Sequence, residues 1–265
     1  MFRLTREVRF AINRDHHDRP EGGSNSYAGI PPLRGPGQYF TLAATLSGEL
    51  DPTVQYLVNI KLIDAVIRDR GISAVAAYAL ADKPACPNRL MTTLFDRLHY
   101  GWRGPTLEAL RLSLTPFLSV EARREELPMT RLSQKFEFSA SHRLHSAALS
   151  DAENVECYGK CNNPHGHGHN YEVQVTLAGI AESTGVLVDV PAFEKTVAET
   201  VIRKFDHKHL NAEVEEFADG RLVPSVENIA MVIYRLLKPK FAYERAKLAA
   251  VTVWETPKTW CEYSE

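Results

Sequence analysis

The sequence predicts an α+β protein made of two tandem copies of one unit, each a four-stranded antiparallel sheet with two helices on one face. Three observations carry that expectation. Apolar residues alternate at every second position in several short segments, apolar stripes at helical steps lie between them, and the same series of segments occurs twice in the same order.

The second copy shows its elements most plainly. RLSQKFEFSASH places Phe136, Phe138, Ala140 and His142 in one phase of a strand. YEVQVTL alternates Tyr171, Val173, Val175 and Leu177 with Glu172, Gln174 and Thr176, which predicts a half-buried strand. A first helix is expected after Asp189 and Pro191, a cap and a first-turn proline, with a core stripe of Phe193, Val197, Val201 and Phe205. A second helix is expected from Ser225 as N-cap, turning Ile229, Val232, Ile233 and Leu236 inward. LAAVTVWE then reads as the final strand, with Val251, Val253 and Glu255 in one phase.

The repeat is visible segment by segment. LTREVRFAINR (Leu4 to Arg14) parallels LSQKFEFSASH (Leu132 to His142), and GPGQYFTLAATLSG (Gly35 to Gly48) parallels GHGHNYEVQVTLAG (Gly166 to Gly179). LVNIKLID beside LVDVPAFE, and LRLSLTP beside VTVWETP, continue the series. Domains are therefore expected over residues 1–122 and 130–265, joined near the charged stretch Glu121 to Thr130.

Composition narrows the function classes. The 265 residues carry a net charge of −2, which argues against nucleic acid or an anionic membrane as the main partner. No apolar run approaches the roughly 20 residues of a membrane span, and MFRLTREVRF has no secretory apolar core. Four scattered cysteines do not make a disulfide framework and fit a reducing, cytoplasmic setting.

The chemistry concentrates in the second copy, where seven of the ten histidines lie between His142 and His209. His142 ends one predicted strand on its apolar face, and the phase of YEVQVTL carried backwards puts His167 and His169 on the apolar face of the next. If those strands pair, three imidazoles converge, and three nitrogen donors with an open fourth position describe a catalytic zinc site. A metal-free, hydrogen-bonded histidine cluster is the alternative. Cys161 lies in a Gly/Asn/Pro-rich turn, where a nearby zinc ion would lower its thiol pKa and make it a base or nucleophile; otherwise it is a small buried thiol. Cys157 reads as structural, and His145, His165 and His209 as loop residues. Asp206 and His207 form an acid–imidazole pair at the end of the first helix, suited to general acid–base work or to a plain surface ion pair. Glu255 shares the phase of Val251 and Val253, so its carboxylate must be paired in a pocket or face a subunit interface.

FSASHRLHS, GKCNNPHGHGHNY, FDHKHL and the terminal ETP resemble the 6-pyruvoyl-tetrahydropterin synthase family, whose sister group is the 6-carboxy-tetrahydropterin synthases of queuosine biosynthesis. The resemblance covers Phe136 to Glu255. It implies the tunnelling fold, in which small α+β units associate side by side into a barrel, a homo-oligomer, and active sites between subunits. It also implies that His142, His167 and His169 bind Zn2+, that Cys161 is the catalytic thiolate, that Asp206 and His207 complete its proton relay, and that Glu255 anchors the pterin. The implied substrate is 7,8-dihydroneopterin triphosphate, handled by lyase chemistry with no nucleotide cofactor. Five residues separate Cys161 from His167, as in the pyruvoyl branch, where the carboxy branch typically has three. PSVEN departs from the family's paired threonines, leaving Val226 without a hydroxyl.

The first copy departs at each of these places. In the repeat register Arg14 stands for His142, Pro36 for His167, Gln38 for His169 and Leu114 for Glu255, and no cysteine stands near the place of Cys161. It is expected to be a degenerate copy without metal. A rival class is a non-catalytic metal- or pterin-binding assembly protein. Keeping every polar residue in one copy, beside their loss in the other, favours an enzyme.

Overall fold

Strand-forming alternation sets the frame of the computed structural model, which describes residues 1–13, 27–34, 37–81, 87–102, 104–181, 187–242 and 246–265. The chain divides into two compact units, 1–133 with 178–187 and 134–177 with 188–265. Among the described residues no helix is long and apolar enough to cross a membrane.

The first unit contains β1 (Phe2–Asn13) and β2 (Gly37–Gly48), then α1 (Ile60–Val66) running through a π-type turn (Ile67–Gly71) into α2 (Ile72–Ala79), then α3 (Pro87–Leu98), β3 (Thr106–Ser113) and β4 (Leu118–Arg123). The four strands pair antiparallel in chain order. Asn59 caps α1 by accepting the Lys61 N–H at 2.9 Å. Helix α3 packs on β3 and β4, and α1 and α2 contact β1.

The second unit contains β5 (Thr130–His142, its last nine residues), α4 (Asp151–Tyr158), β6 (His167–Gly179, up to Leu177), α5 (Val190–Val197), a π-type turn (Ala198–Ile202), α6 (Arg203–Phe205), β7 (Lys208–His209), α7 (Leu210–Glu213), α8 (Val226–Leu237), β8 (Ala246–Thr256) and β9 (Thr259–Tyr263). Strands β5, β6, β8 and β9 are neighbours in that order. β7 is the exception to the antiparallel plan, since it pairs parallel with the end of β5.

The predicted helices form for the predicted reasons. The Asp189 side chain accepts the Ala192 N–H at 2.9 Å, Pro191 sits in the first turn, and Phe193, Val197, Val201 and Phe205 are all buried. A stripe at strict four-residue steps outruns the 3.6 residues of a regular turn, so a straight helix would carry it off the sheet. The wide turn at Ala198–Ile202 takes up the difference. The first unit does the same, with Ile63, Ile67, Gly71 and Val75 buried across its own wide turn.

Two local expectations need correction. Leu236 is only half-buried, and Leu237, one four-residue step after Ile233, takes the inward place. Helix α4 was not expected, although Ser150 and Glu153 form a full capping box at its start, the S-x-x-E signal a closer reading would use.

Candidate metal centre and active site

Two neighbouring strands bring the histidines together. Phe138 stacks on Tyr171 at 4.9 Å, the Ser139 hydroxyl is 2.7 Å from Asn170 Oδ1, and the His142 and His167 rings are 4.6 Å apart. These contacts run in opposite chain directions, as antiparallel pairing requires. One nitrogen from each of His142, His167 and His169 falls within 4.8 Å of the others, and among the described residues this is the sole His/Cys/Asp/Glu group of that kind. Gly166 makes the approach possible. Its φ of +71° is left-handed, and a Cβ there would sit 2.8 Å from the His142 carbonyl oxygen.

His142 is fully buried. Its Nδ1 lies 2.7 Å from the Pro224 carbonyl oxygen and 3.3 Å from the Tyr171 hydroxyl. Burial pushes the imidazole down to about 4, against the hydrogen bond to Pro224, so the ring is neutral near pH 7 and ready to be a ligand. Burial and His169 also lower His167. The residues fit a metal ion by two tests. The donors are three imidazoles, and a metal-free cluster joined by the 3.2 Å His142–His167 contact would leave His169 Nε2 buried without a hydrogen bond among the described residues.

Glu255, half-buried on β8, joins this group. Its Oε1 is 3.4 Å from His142 Nε2 and 3.7 Å from His169 Nε2.

Asp206 and His207 follow α6 and are fastened to β5. The Ser139 N–H donates to Asp206 Oδ1 at 2.9 Å, and the His207 N–H donates to the Ser139 carbonyl at 2.6 Å. Asp206 Oδ2 lies 2.8 Å from His207 Nδ1. The Ser139 N–H first, and then His207, hold the Asp206 carboxyl below its usual range. His207 has φ +57°, a conformation that costs a non-glycine residue about 1 kcal/mol and is held here by the Ser139 bond. Its exposed ring and His169 line one cleft of about 570 Å3, together with Ser139, Asn170, His209 and Glu213.

Cys161 stands in a 3-10 turn (Gly159–Asn162), half-buried, with its carbonyl accepting the Leu144 N–H at 2.9 Å. Arg143 Nε and His145 Nδ1 both reach Asn162 Oδ1 and steady that turn. Burial raises the Tyr171 hydroxyl, and the charges of Glu255 and Cys161 add to the effect, so both groups lie within electrostatic reach of it. The Cys161 thiol makes no hydrogen bond among the described residues.

Sequence reasoning missed two groups. His209, read as a loop residue, is in β7 opposite Ser141, lines the cleft, and has a buried Nδ1 with no partner. A two-residue parallel strand has no sequence pattern to reveal it. The Pro224 carbonyl is a backbone group and leaves no mark on sequence. His145 and His165 do lie in loops, whereas Cys157, read as structural, is exposed on α4. Val226 is buried in the first turn of α8. Of the first-copy positions, Gln38 lies in β2 opposite Ile12 and Leu114 follows β3, while Arg14 and Pro36 lie outside the described residues.

The sequence was compared with known proteins. The family model described as 6-pyruvoyl tetrahydropterin synthase matches residues 131–265. The 6-pyruvoyl tetrahydrobiopterin synthase of Drosophila melanogaster is 42% identical over 143 residues, covering 51% of this chain and 80% of that protein. The 6-carboxy-5,6,7,8-tetrahydropterin synthase of Haemophilus influenzae is 26% identical over 157 residues, covering 52% and 100%. The solved structure of Caenorhabditis elegans 6-pyruvoyl tetrahydropterin synthase is 38% identical with a TM-score of 0.49, over 53% of this chain and 98% of that one. With a family match over half its length, this chain belongs to the 6-pyruvoyl tetrahydropterin synthase family.

Proposed function

We propose that the chain converts 7,8-dihydroneopterin triphosphate to 6-pyruvoyl-tetrahydropterin with loss of triphosphate, at the second unit, using zinc. The observation that carries this reading is the convergence of three imidazoles and a carboxylate from β5, β6 and β8, in the half of the chain that matches the family. The reaction reduces the pterin ring while the side chain is oxidised, so its electrons balance within the substrate.

His142, His167 and His169 would hold the ion. A zinc ion there would supply Lewis acidity to the substrate's side-chain hydroxyls and so acidify the neighbouring C–H bonds. Cys161 takes and returns protons at those carbons as the thiolate. His207 moves the hydroxyl protons, oriented by Asp206, which the Ser139 N–H fixes in turn. Glu255, which faces the imidazoles of His142 and His169, accepts two hydrogen bonds from the amino-pyrimidine edge of the pterin.

Residues 1–122 act as a degenerate copy with a structural role. Supporting this is a shared register: Phe10 faces Phe40 at 5.8 Å in the first unit, and the residues aligned with them by the repeat, Phe138 and Tyr171, stack in the second. The wide turns at Ile67–Gly71 and Ala198–Ile202 agree as well. Among the described residues β1 pairs only with β2 and β9 only with β8, and such open edges favour closure into a homo-oligomer.

A second reading is 6-carboxy-tetrahydropterin synthesis from the same substrate, with acetaldehyde released. The Cys161–His167 spacing and the higher identity to the pyruvoyl relative favour the first. The deciding experiment supplies zinc-loaded protein with 7,8-dihydroneopterin triphosphate, follows triphosphate and weighs the pterin product. A pyruvoyl product supports the proposal, a carboxy product moves the chain to the other branch, and no turnover with zinc bound makes it a binding protein.

A further inference from the structure

The first unit holds a cavity of about 630 Å3 that the proposed reaction does not use. It lies where Phe2 faces Gly48, the opposite end of the β1–β2 ladder from Asn13 and Gly37, which neighbour the repeat positions of the triad. Its walls come from the start of β1, the turn before α1, and the first residues of α1. Phe2, Leu50, Tyr56 and Ile60 line it and stay 51%, 38%, 60% and 46% exposed. Clustered exposure of large apolar side chains marks a binding surface, and the volume suits a small molecule, for which about 300–1,000 Å3 is usual.

Two cations share the cavity. Arg3 and Lys61 line it, and among the described residues neither side chain has a carboxylate partner or a hydrogen bond. The neighbouring carboxylates are already engaged. Glu49 Oε1 is 3.0 Å from the Met1 amino nitrogen, and Asp51 Oδ1 accepts the Thr53 and Val54 N–H groups at 2.8 and 3.0 Å. The turn is held further by Gln55 N–H to the Asp51 carbonyl and Asp51 N–H to the Tyr56 carbonyl, so the aromatic wall is preformed.

We infer that this cavity binds a small organic anion with an aromatic body. A neutral aromatic would leave two cations beside it without a counter-charge. An inorganic anion would leave the apolar walls wet. An aromatic carboxylate or sulfonate satisfies both at once.

The test uses the full chain and two fluorescent probes, 1-anilinonaphthalene-8-sulfonate and N-phenyl-1-naphthylamine, which share their rings and differ in the sulfonate. The sulfonate is expected to bind one saturable site per chain and to protect amides between Leu50 and Lys61 from hydrogen exchange. Arg3→Gln with Lys61→Gln, both exposed, should weaken it by about tenfold or more and change naphthylamine binding by less than about twofold. Tyr56→Ser should weaken both probes. Unchanged sulfonate binding in the double variant overturns the inference, as does protection confined to other residues. A concentration-dependent dimer that buries the patch and excludes both probes overturns it too, making the surface an interface. Neither probe reports turnover or metal, so failure here leaves the proposed reaction standing.

Discussion

His142 Nδ1 lies 2.7 Å from the carbonyl oxygen of Pro224, the residue before the cap of α8. A carbonyl only accepts, so Nδ1 carries the hydrogen and Nε2 keeps its lone pair for the centre of the triad. The start of a helix distant in sequence thereby sets the tautomer of an imidazole on β5.

The same burial makes stability depend on pH. The folded-state value of about 4 is below the ordinary 6.5, so between those limits the unfolded chain binds more protons. Stability is therefore full above pH 6.5 and falls as pH drops towards 4, by on the order of 3 kcal/mol across the window. Urea unfolding of metal-free protein at pH 7 and pH 4.5, beside His142→Asn, measures it. Equal pH sensitivity in the two proteins would show that His142 is not the source.

Glu255→Gln keeps the shape of the side chain and removes its charge. The expected outcome is a KM raised by about tenfold or more with zinc content unchanged, because the pterin edge loses a charged acceptor. Zinc stoichiometry falling with the substitution would instead make the carboxylate a ligand, which its 3.4 Å distance from His142 Nε2 allows.

Gly166→Ala places a Cβ 2.8 Å from the His142 carbonyl oxygen at a left-handed backbone position. A loss of about 1–3 kcal/mol in stability is expected, with weaker zinc binding in chelator competition as His142 and His167 separate. Wild-type stability and zinc affinity together would remove the role given to this glycine.

Cys161→Ala should abolish turnover and leave both thermal unfolding and zinc content near wild type, since the thiol makes no hydrogen bond among the described residues. Retained activity would end its assignment as proton carrier.

Much of the site could be read from sequence because strand phase is a strong signal. Tyr171, Val173, Val175 and Leu177 are all fully buried, and that phase extended backwards reaches His169 and His167. Glu255 was found by the same rule on β8. What escaped was set by tertiary contact: the Pro224 carbonyl is a backbone group, and His209 enters the cleft through two residues of parallel pairing. The Leu236 expectation failed because α8 continues its four-residue steps from Ile229 and Ile233 to Leu237.

The wide turn at Ala198–Ile202 has a consequence for Asp206, three residues beyond the start of α6. An extra residue in a helical turn acts as a phase setting, and everything after it is rotated by about 100° relative to a regular helix. Deleting one residue there would let the turn tighten into a regular helix with Phe205 and Asp206 still in phase, whereas a regular turn of unchanged length would swing Phe205 out of the core and point Asp206 away from Ser139. The first unit keeps the same setting at Ile67–Gly71. Shape-filling of the core is thus sufficient to explain the turn, and the aim of Asp206 at Ser139 is inherited from it.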